Sequence, residues 1–224
     1  MAVAKTTNIL IAGVGGQGNR TLMKLIAHAA LAAGEEVRVL SGTGLGRLGG
    51  PITCHMRIGS VVSATIPMGE ADILVALEMN EALRALPMMR RGALALIYAY
   101  CRRPIVAGIG GMESPSVAKV EEVGVVRGIT CVFVPQLRSL FTDTDIGQVQ
   151  SGPFASGMML GVLCGYSGLF PRLLVEQALR QCLPDCVEQN LQAFDIGWQY
   201  CQGVKVVAVN PRAEDEVDSW HGIF

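Results

Sequence analysis

The chain has 224 residues, of which 50% are hydrophobic and 17% are charged. This composition excludes intrinsic disorder, which combines low hydrophobicity with high charge, and the length suits a single domain. The 18 basic and 19 acidic residues leave a net charge of −1. That balance argues against a general nucleic-acid-binding protein, because such a protein needs clustered lysine and arginine to neutralise phosphates.

The first part of the chain is predicted to form a β-α-β unit. Residues 8–14 are a continuous apolar run, as in a strand that is buried on both faces of a parallel sheet. In residues 19–33 apolar side chains recur at three- and four-residue spacing, which predicts a helix that Gly34 ends as a C-terminal cap. Residues 37–40 are predicted to be the second strand, reached by a crossover of ordinary length.

The rest of the chain continues an alternating pattern of strands and helices. Residues 41–50 contain five glycines and predict a loop, and residues 53–58 and 61–66 predict an antiparallel hairpin. Further strands are predicted over 71–77, 93–98 and 129–134, and further helices over 80–89, 114–122, 153–166, 173–180 and 187–202. We therefore predict one three-layer α/β/α domain over residues 1–208, with a Rossmann-like mixed sheet, and a polar tail over residues 209–224.

The seven cysteines predict neither disulfide bonds nor a metal centre. They are odd in number, widely spaced and without CxxC pairs, so we interpret them as small apolar core residues of a protein from a reducing compartment. The longest uncharged stretch, residues 146–171, contains Gln, Ser and Pro, and is expected to be a buried helix and not a membrane span. We expect a cytoplasmic protein that binds neither nucleic acid nor membrane.

A glycine-rich motif is the main candidate site. Gly13-x-Gly15-x-x-Gly18 follows the first strand and opens the first helix, where backbone amides and the helix dipole can bind a phosphate or carboxylate. Arg47, in the glycine loop, is a second candidate ligand for such an anion. The predicted cofactor-binding residues are Gly13, Gly15, Gly16, Gln17, Gly18, Asn19, Arg20, Thr43, Arg47, Gly49 and Gly50. No catalytic residue and no metal ligand is predicted.

Two other interpretations of the glycine motif stay open. An NAD or FAD site would need an acidic residue at the end of the second strand, and residues 39–42 contain none. Alternatively, the glycines serve only the close packing of strand and helix.

Three further features are predicted from local context. Glu78 follows a buried strand and is expected to be an acid at a helix N-terminus. The pair Arg90–Arg91 is either solvated surface or a contact to a phosphate-bearing cofactor. Gly157, Gly161 and Gly165 recur every four residues, which predicts close packing against another element or subunit.

Several of these segments together resemble a known family. The sequence GVGGQG at 13–18, GEADILVALE at 69–78 and MMLG at 158–161 resembles the γ-type subunit or domain of 2-oxoacid:ferredoxin oxidoreductases. Within this family, the sequence resembles the small β subunit of indolepyruvate:ferredoxin oxidoreductase. The resemblance covers about residues 8–200.

The resemblance implies a subunit that is inactive alone. Enzymes of this family oxidatively decarboxylate a 2-oxoacid, join the acyl group to coenzyme A and pass electrons to ferredoxin. Their thiamine diphosphate, magnesium and iron–sulfur clusters lie in other subunits or domains. The γ-type part binds no cofactor tightly, completes the active-site assembly near coenzyme A, and works with a larger subunit that binds thiamine diphosphate.

The sequence leaves homodimerisation open as a second mode of assembly. It also leaves open two alternatives to this function. One is a stand-alone Rossmann-like nucleotide-binding protein or NAD-dependent enzyme. The other is a non-catalytic scaffold derived from the γ-type fold. Its argument is the loop at residues 43–50, which reads TGLGRLGG where the family usually has a stretch like HGMAQRGG.

Overall fold

The computed structural model describes residues 6–42, 50–101, 114–136 and 153–203. The predicted site residues Thr43, Arg47 and Gly49 lie outside these ranges, as does the predicted tail at 209–224.

The described residues form six strands and six α-helices. The strands are β1 (Thr7–Val14), β2 (Val37–Ser41), β3 (Pro51–Ile58), β4 (Ala71–Ala76), β5 (Met89–Tyr98) and β6 (Thr130–Val134). The helices are α1 (Asn19–Ala32), α2 (Met79–Ala85), α3 (Val117–Val126), α4 (Pro153–Ser167), α5 (Arg172–Cys182) and α6 (Val187–Gly203). Two short 3₁₀ turns cover Leu86–Met88 and Pro184–Cys186.

The strands form one mixed sheet in the order β2-β3-β1-β4-β5-β6. Strands β1, β4, β5 and β6 are parallel, whereas β3 runs antiparallel to both of its neighbours, β1 and β2. Every residue of β1 after Thr7 is buried, because helices cover both faces of the sheet at this strand. This explains why its sequence is continuously apolar from Ile9 onward, while the buried Asn8 at its start is polar and hydrogen-bonded.

Helices pack on both faces of the sheet and make two cores. Ile11 of β1 points to one face, where it belongs to a core with Leu22 of α1 and Phe194 of α6. Leu10 points to the other face and shares a core with Ala82 of α2. Helices α4 and α5 join the first core and α3 the second. The chain is therefore a single three-layer α/β/α domain with a mixed sheet, and the predicted fold class is confirmed.

The predicted hairpin of residues 53–58 and 61–66 is wrong. Strand β3 pairs on one side with β1 and on the other with β2, so it has no free edge for a third partner. Side chains of β3 bind the following segment instead. The Ile66 amide donates to His55 Nδ1 at 3.2 Å, and Arg57 Nη1 donates to the Ser63 carbonyl at 3.3 Å. Residues 61–66 accordingly run beside the sheet without forming a strand.

Helix α1 ends at Ala32, and Gly34 forms its C-terminal cap, as the sequence predicts. The Gly34 amide donates to the Leu31 carbonyl and the Glu35 amide to the Ala30 carbonyl, both at 3.0 Å. This pair of bonds is a Schellman motif, and it requires the left-handed backbone that Gly34 adopts at φ +82°.

Candidate functional site

The glycine turn joins the carboxyl end of β1 to α1 and is held by its own polar side chains. The Val14 amide donates to Gln17 Oε1 at 2.9 Å, and Asn19 Nδ2 donates to the Val14 carbonyl at 2.9 Å. The Gln17 amide also donates to this carbonyl, at 3.3 Å. Because the carboxamide oxygen of Gln17 is used inside the turn, only its NH₂ group is left to donate to a ligand.

Only some backbone amides of the turn are available to an anion. The Gly15 amide donates to the Gly50 carbonyl at 2.9 Å, and the Gln17 amide is used as described above. The amides of Gly16 and Gly18 have no acceptor within the described residues. An anion at this turn would therefore bind Gly16, Gly18 and the first amides of α1, and not four consecutive amides.

Gly16 and Gly18 are both left-handed, with φ of +91° and +88°, but their surroundings differ. A Cβ on Gly16 would meet no atom of the described residues within 4 Å, so that part of the chain leaves the turn open on this side. A Cβ on Gly18 would lie 2.2 Å from Ser156 Oγ. Gly18 thus serves close packing against α4, whereas the packing interpretation of the glycine motif places strand and helix in contact there.

Ser156 of α4 ties this helix to the turn. Its hydroxyl lies 3.2 Å from the Gln17 carbonyl and 3.3 Å from the Gly18 carbonyl, and can donate to either. The side chain is 1% exposed. Ser156 was not predicted from the sequence, because the contact joins residues that are 138 positions apart. The available signal was a serine in the first turn of an otherwise apolar helix.

Gly13 leaves space for the Asn19 side chain, since a Cβ on Gly13 would lie 2.4 Å from Asn19 Oδ1. Asn19 is 2% exposed, and its Oδ1 accepts no hydrogen bond from any described residue. This oxygen is directed at the backbone of β1 beside Gly13. Asn19 therefore stabilises the turn from the side of the strand and does not line the side on which Gly16 lies.

The predicted site residues that the structure describes lie together at the carboxyl edge of the sheet. Gly50 contacts Gly15 directly. Arg20 is exposed on the first turn of α1, and its charge lowers the pKa of Cys54, against the larger effect of burial, which raises it. Eight predicted residues are thus grouped around the turn: Gly13, Gly15, Gly16, Gln17, Gly18, Asn19, Arg20 and Gly50.

A buried polar cluster follows β4 at the same edge. Glu78 is 1% exposed and caps α2, accepting from the Glu81 amide at 2.9 Å. Asn80 Nδ2 lies 2.7 Å from Glu78 Oε1 and 3.2 Å from Cys101 Sγ. The expectation of a helix N-terminal acid is confirmed. Burial is the main cause that raises the pKa of the Cys101 thiol, and the Glu78 charge adds to it, so this thiol stays protonated at neutral pH.

The other cysteines are only partly as predicted. Cys164 is buried, and burial raises its pKa to about 12. Burial likewise raises the pKa of Cys131 and of Cys201 to about 11, which makes all three poor nucleophiles. Cys186, in contrast, is exposed, so the prediction that all seven are core residues is wrong for this one.

The described residues lack two further kinds of feature. They contain no group of three or more His, Cys, Asp or Glu side chains arranged to hold a metal ion. Among the described helices, none combines the length and the apolarity that crossing a lipid bilayer requires.

The sequence matches the family model for pyruvate ferredoxin/flavodoxin oxidoreductases over residues 8–200. The indolepyruvate oxidoreductase subunit IorB of Archaeoglobus fulgidus is 31% identical over 192 residues, which are 85% of this chain and 93% of that protein.

Two solved structures share the fold. The γ subunit of a keto/oxoacid ferredoxin oxidoreductase from Geobacter sulfurreducens matches with a TM-score of 0.62 at 19% identity, over 88% of this chain and 99% of that one. The 2-oxoglutarate:ferredoxin oxidoreductase of Magnetococcus marinus, with 2-oxoglutarate, coenzyme A and succinyl-CoA bound, matches with a TM-score of 0.68 at 18% identity. This match covers 92% of this chain and 32% of the longer Magnetococcus chain. The chain therefore belongs to the pyruvate ferredoxin/flavodoxin oxidoreductase family and is a component of an oxidoreductase.

Proposed function

We propose that this chain is the small, γ-type subunit of a cytoplasmic, thiamine-diphosphate-dependent 2-oxoacid oxidoreductase. The complex would oxidatively decarboxylate a 2-oxoacid to an acyl-CoA and pass the electrons to ferredoxin. The observation that carries this proposal is the open glycine turn at the carboxyl edge of β1, in a chain that matches the family from residue 8 to residue 200. In open α/β sheets, ligands bind at this edge.

The proposed substrate is an aryl 2-oxoacid of the indolepyruvate type. Its support is the name of the Archaeoglobus relative, whose length this chain matches almost completely. The larger subunit that binds thiamine diphosphate is the proposed partner, and its support is that the Archaeoglobus relative and the Geobacter protein are both named as subunits.

The glycine turn suits an anionic group such as a phosphate of coenzyme A. The free amides of Gly16 and Gly18 stand at the N-terminus of α1, where the helix dipole favours negative charge. Arg20 adds a positive side chain on the exposed surface of the same helical turn. Coenzyme A supplies the thiol that accepts the acyl group, and we assign this chain the task of holding and orienting that molecule.

The matched variants Gly16→Ala and Gly34→Ala test this role. Both glycines are left-handed, and a Cβ added to either would meet no described atom within 4 Å, so alanine adds the same backbone strain at each. We expect each to lower the free energy of unfolding by about 1 kcal/mol. Only Gly16→Ala should raise the KM for coenzyme A of the complex reconstituted with its larger subunit, because only this methyl group faces the proposed ligand.

The readouts of this experiment are thermal unfolding of the chain and steady-state kinetics of the complex. If both variants leave the KM for coenzyme A unchanged, the turn is a packing device and does not bind coenzyme A. An inactive wild-type complex would instead contradict the proposed reaction.

A further inference from the structure

A cleft lies at the amino edge of the sheet, opposite to the glycine turn. It has a volume of about 600 Å³ and lies between the start of β5 and the end of α3. Its lining consists of Met89, Arg91, Glu122, Val123, Val126 and Arg127. The volume is in the range of small-molecule sites, roughly 300–1,000 Å³.

Two arginines meet at this cleft. The Arg91 side chain runs along Gly128, since a Cβ on Gly128 would lie 3.5 Å from Arg91 Nε and 3.8 Å from Arg91 Nη2. Arg127 immediately precedes this glycine, and its Nη2 donates to the Pro87 carbonyl at 3.3 Å. Two guanidinium groups therefore share one short stretch of surface, where their positive charges add.

The charges of these two arginines are only partly offset by the protein. The adjacent Arg90 pairs with Asp72 at 2.6 Å, but neither Arg91 nor Arg127 pairs with a carboxylate within the described residues. Glu122, which also lines the cleft, carries one charge and already pairs with Lys119 Nζ at 3.0 Å. The cleft consequently has a net positive charge.

The same cleft has an apolar side. Met89 is 3% exposed at its base, and Val126 is 66% exposed at its wall. A bare inorganic anion would leave this valine in water, whereas a neutral apolar molecule would leave the arginines without a counter-ion. The pairing of apolar wall and positive rim is complementary to one class of ligand, an organic anion with an apolar group.

We propose that this cleft binds a small organic acid. The anionic group would bind Arg91 and Arg127, and an aryl or branched alkyl group would pack on Val123 and Val126. The site is separate from the glycine turn, because the two lie at opposite edges of the sheet, and it does not depend on the proposed reaction.

Titration of the full chain with anilinonaphthalene sulfonate, an aromatic anion, tests the proposal. Two-dimensional proton–nitrogen NMR spectra should show that amides of residues 123–128 shift as the probe binds. Inorganic sulfate has the charge without the apolar group. It should bind the cleft more weakly, so the same amide shifts should need a higher concentration of sulfate. In the double variant Arg91→Gln/Arg127→Gln, the Kd of the aromatic probe at these amides should rise about tenfold.

Two controls isolate the charge and the position. Arg91→Lys/Arg127→Lys keeps both charges and should keep most of the affinity, while Arg38→Gln removes an exposed arginine from β2, at a distant edge strand, and should change nothing. Both cleft arginines are exposed, so their replacement should leave the fold intact. The proposal is overturned if the probe shifts other amides and not those of 123–128, or if the glutamine double variant binds as tightly as Arg38→Gln.

Discussion

A single hydroxyl group adds a steric reason for glycine at residue 18, where the left-handed backbone already favours it. Ser156 Oγ occupies the position beside Gly18 where a side chain would begin, and it also bonds to the carbonyls of the turn. Helix α4 thus packs against the turn at Gly18, while no described atom covers the turn at Gly16.

This contact predicts a difference between two similar variants. Gly18→Ala should lower the free energy of unfolding by about 2–3 kcal/mol, more than Gly16→Ala, because it adds a steric clash to the same backbone strain. In the double variant Gly18→Ala/Ser156→Ala the clash is removed, so the loss should be smaller than the sum of the two single losses. Urea unfolding of the four proteins measures this coupling, and strictly additive losses would contradict the contact.

His55 predicts a pH dependence of stability. Burial lowers its pKa, and Nδ1 must be unprotonated to accept from the Ile66 amide. Below the ordinary histidine pKa of about 6.5, the unfolded chain therefore binds a proton that the folded chain does not. The free energy of unfolding should fall as the pH drops from 7.5 to 5.5, with a slope of at most about 1.4 kcal/mol per pH unit.

The variant His55→Asn provides the comparison, because its side-chain oxygen can accept the same hydrogen bond without titrating. The slope of the wild type should exceed that of the variant, and other histidines cancel in the difference. Equal slopes for the two proteins would show that His55 does not titrate in this way.

Residues of the site were predictable where their role is local. Glu78 stands directly between a buried strand and a helix, and its capping bond spans only three residues, so the sequence pattern was enough. Ser156 acts across 138 positions, and a single sequence has no pattern that indicates such a pairing.

At the level of elements, helices α4 and α6 pack with unusually close backbones. A Cβ on Gly161 would lie 2.1 Å from the Phe194 carbonyl oxygen, and one on Gly197 would lie 2.0 Å from that of Met158. The predicted close packing of the glycine stripe is confirmed, and its partner is a helix of the same chain. The stripe is therefore not a reason to expect an interface between subunits.

Gly161→Ala and Gly197→Ala should both be strongly destabilising, because the methyl group meets backbone atoms that cannot rotate away. We expect each to lower the free energy of unfolding by about 3 kcal/mol. Gly203→Ala, at the end of α6 where no atom of residues 6–203 that the structure describes lies within 4 Å, is the control and should be neutral or slightly stabilising. Thermal unfolding measures all three, and a loss at 161 no larger than at 203 would contradict this packing.

The position of β3 separates this sheet from that of an NAD-binding Rossmann domain. In such a domain an acidic residue at the end of the second strand reaches the ribose of a nucleotide bound at the first. Here β3 lies between β1 and β2, so the end of β2 is two strand spacings, or about 9.6 Å, from β1. Together with the absence of an acid at residues 39–42, this disfavours the NAD-dependent alternative.

The same strand shows what local patterns could not predict. Residues 53–58 alternate as a strand should, and β3 was correctly placed there. The strands that pair with it were not predicted correctly, because alternation indicates a strand without indicating which strands lie beside it. Pairing with β1 and β2 depends on the whole sheet, and it left residues 61–66 without an edge to join.

For the whole molecule, the fold class and the site's place in it were largely predictable. The buried runs of β1 and β4 and the glycine motif between strand and helix indicate an open α/β sheet with a ligand at its carboxyl edge. The absence of an ion pair at the cleft arginines was not predictable. Arg90 and Arg91 are neighbours in the sequence, and only the fold shows that Asp72 pairs with Arg90 and not with Arg91.

The central claim is that this chain functions only as a subunit of a larger oxidoreductase. Native mass spectrometry of the tagged chain, purified from its own cells, tests this most directly, with the activity of the same sample as its second readout. We predict a complex with a larger subunit that binds thiamine diphosphate. This complex should reduce ferredoxin in the presence of a 2-oxoacid and coenzyme A, whereas the isolated chain should be colourless and inactive. A chain that purifies without such a partner, or that catalyses the oxidation alone, would contradict the claim.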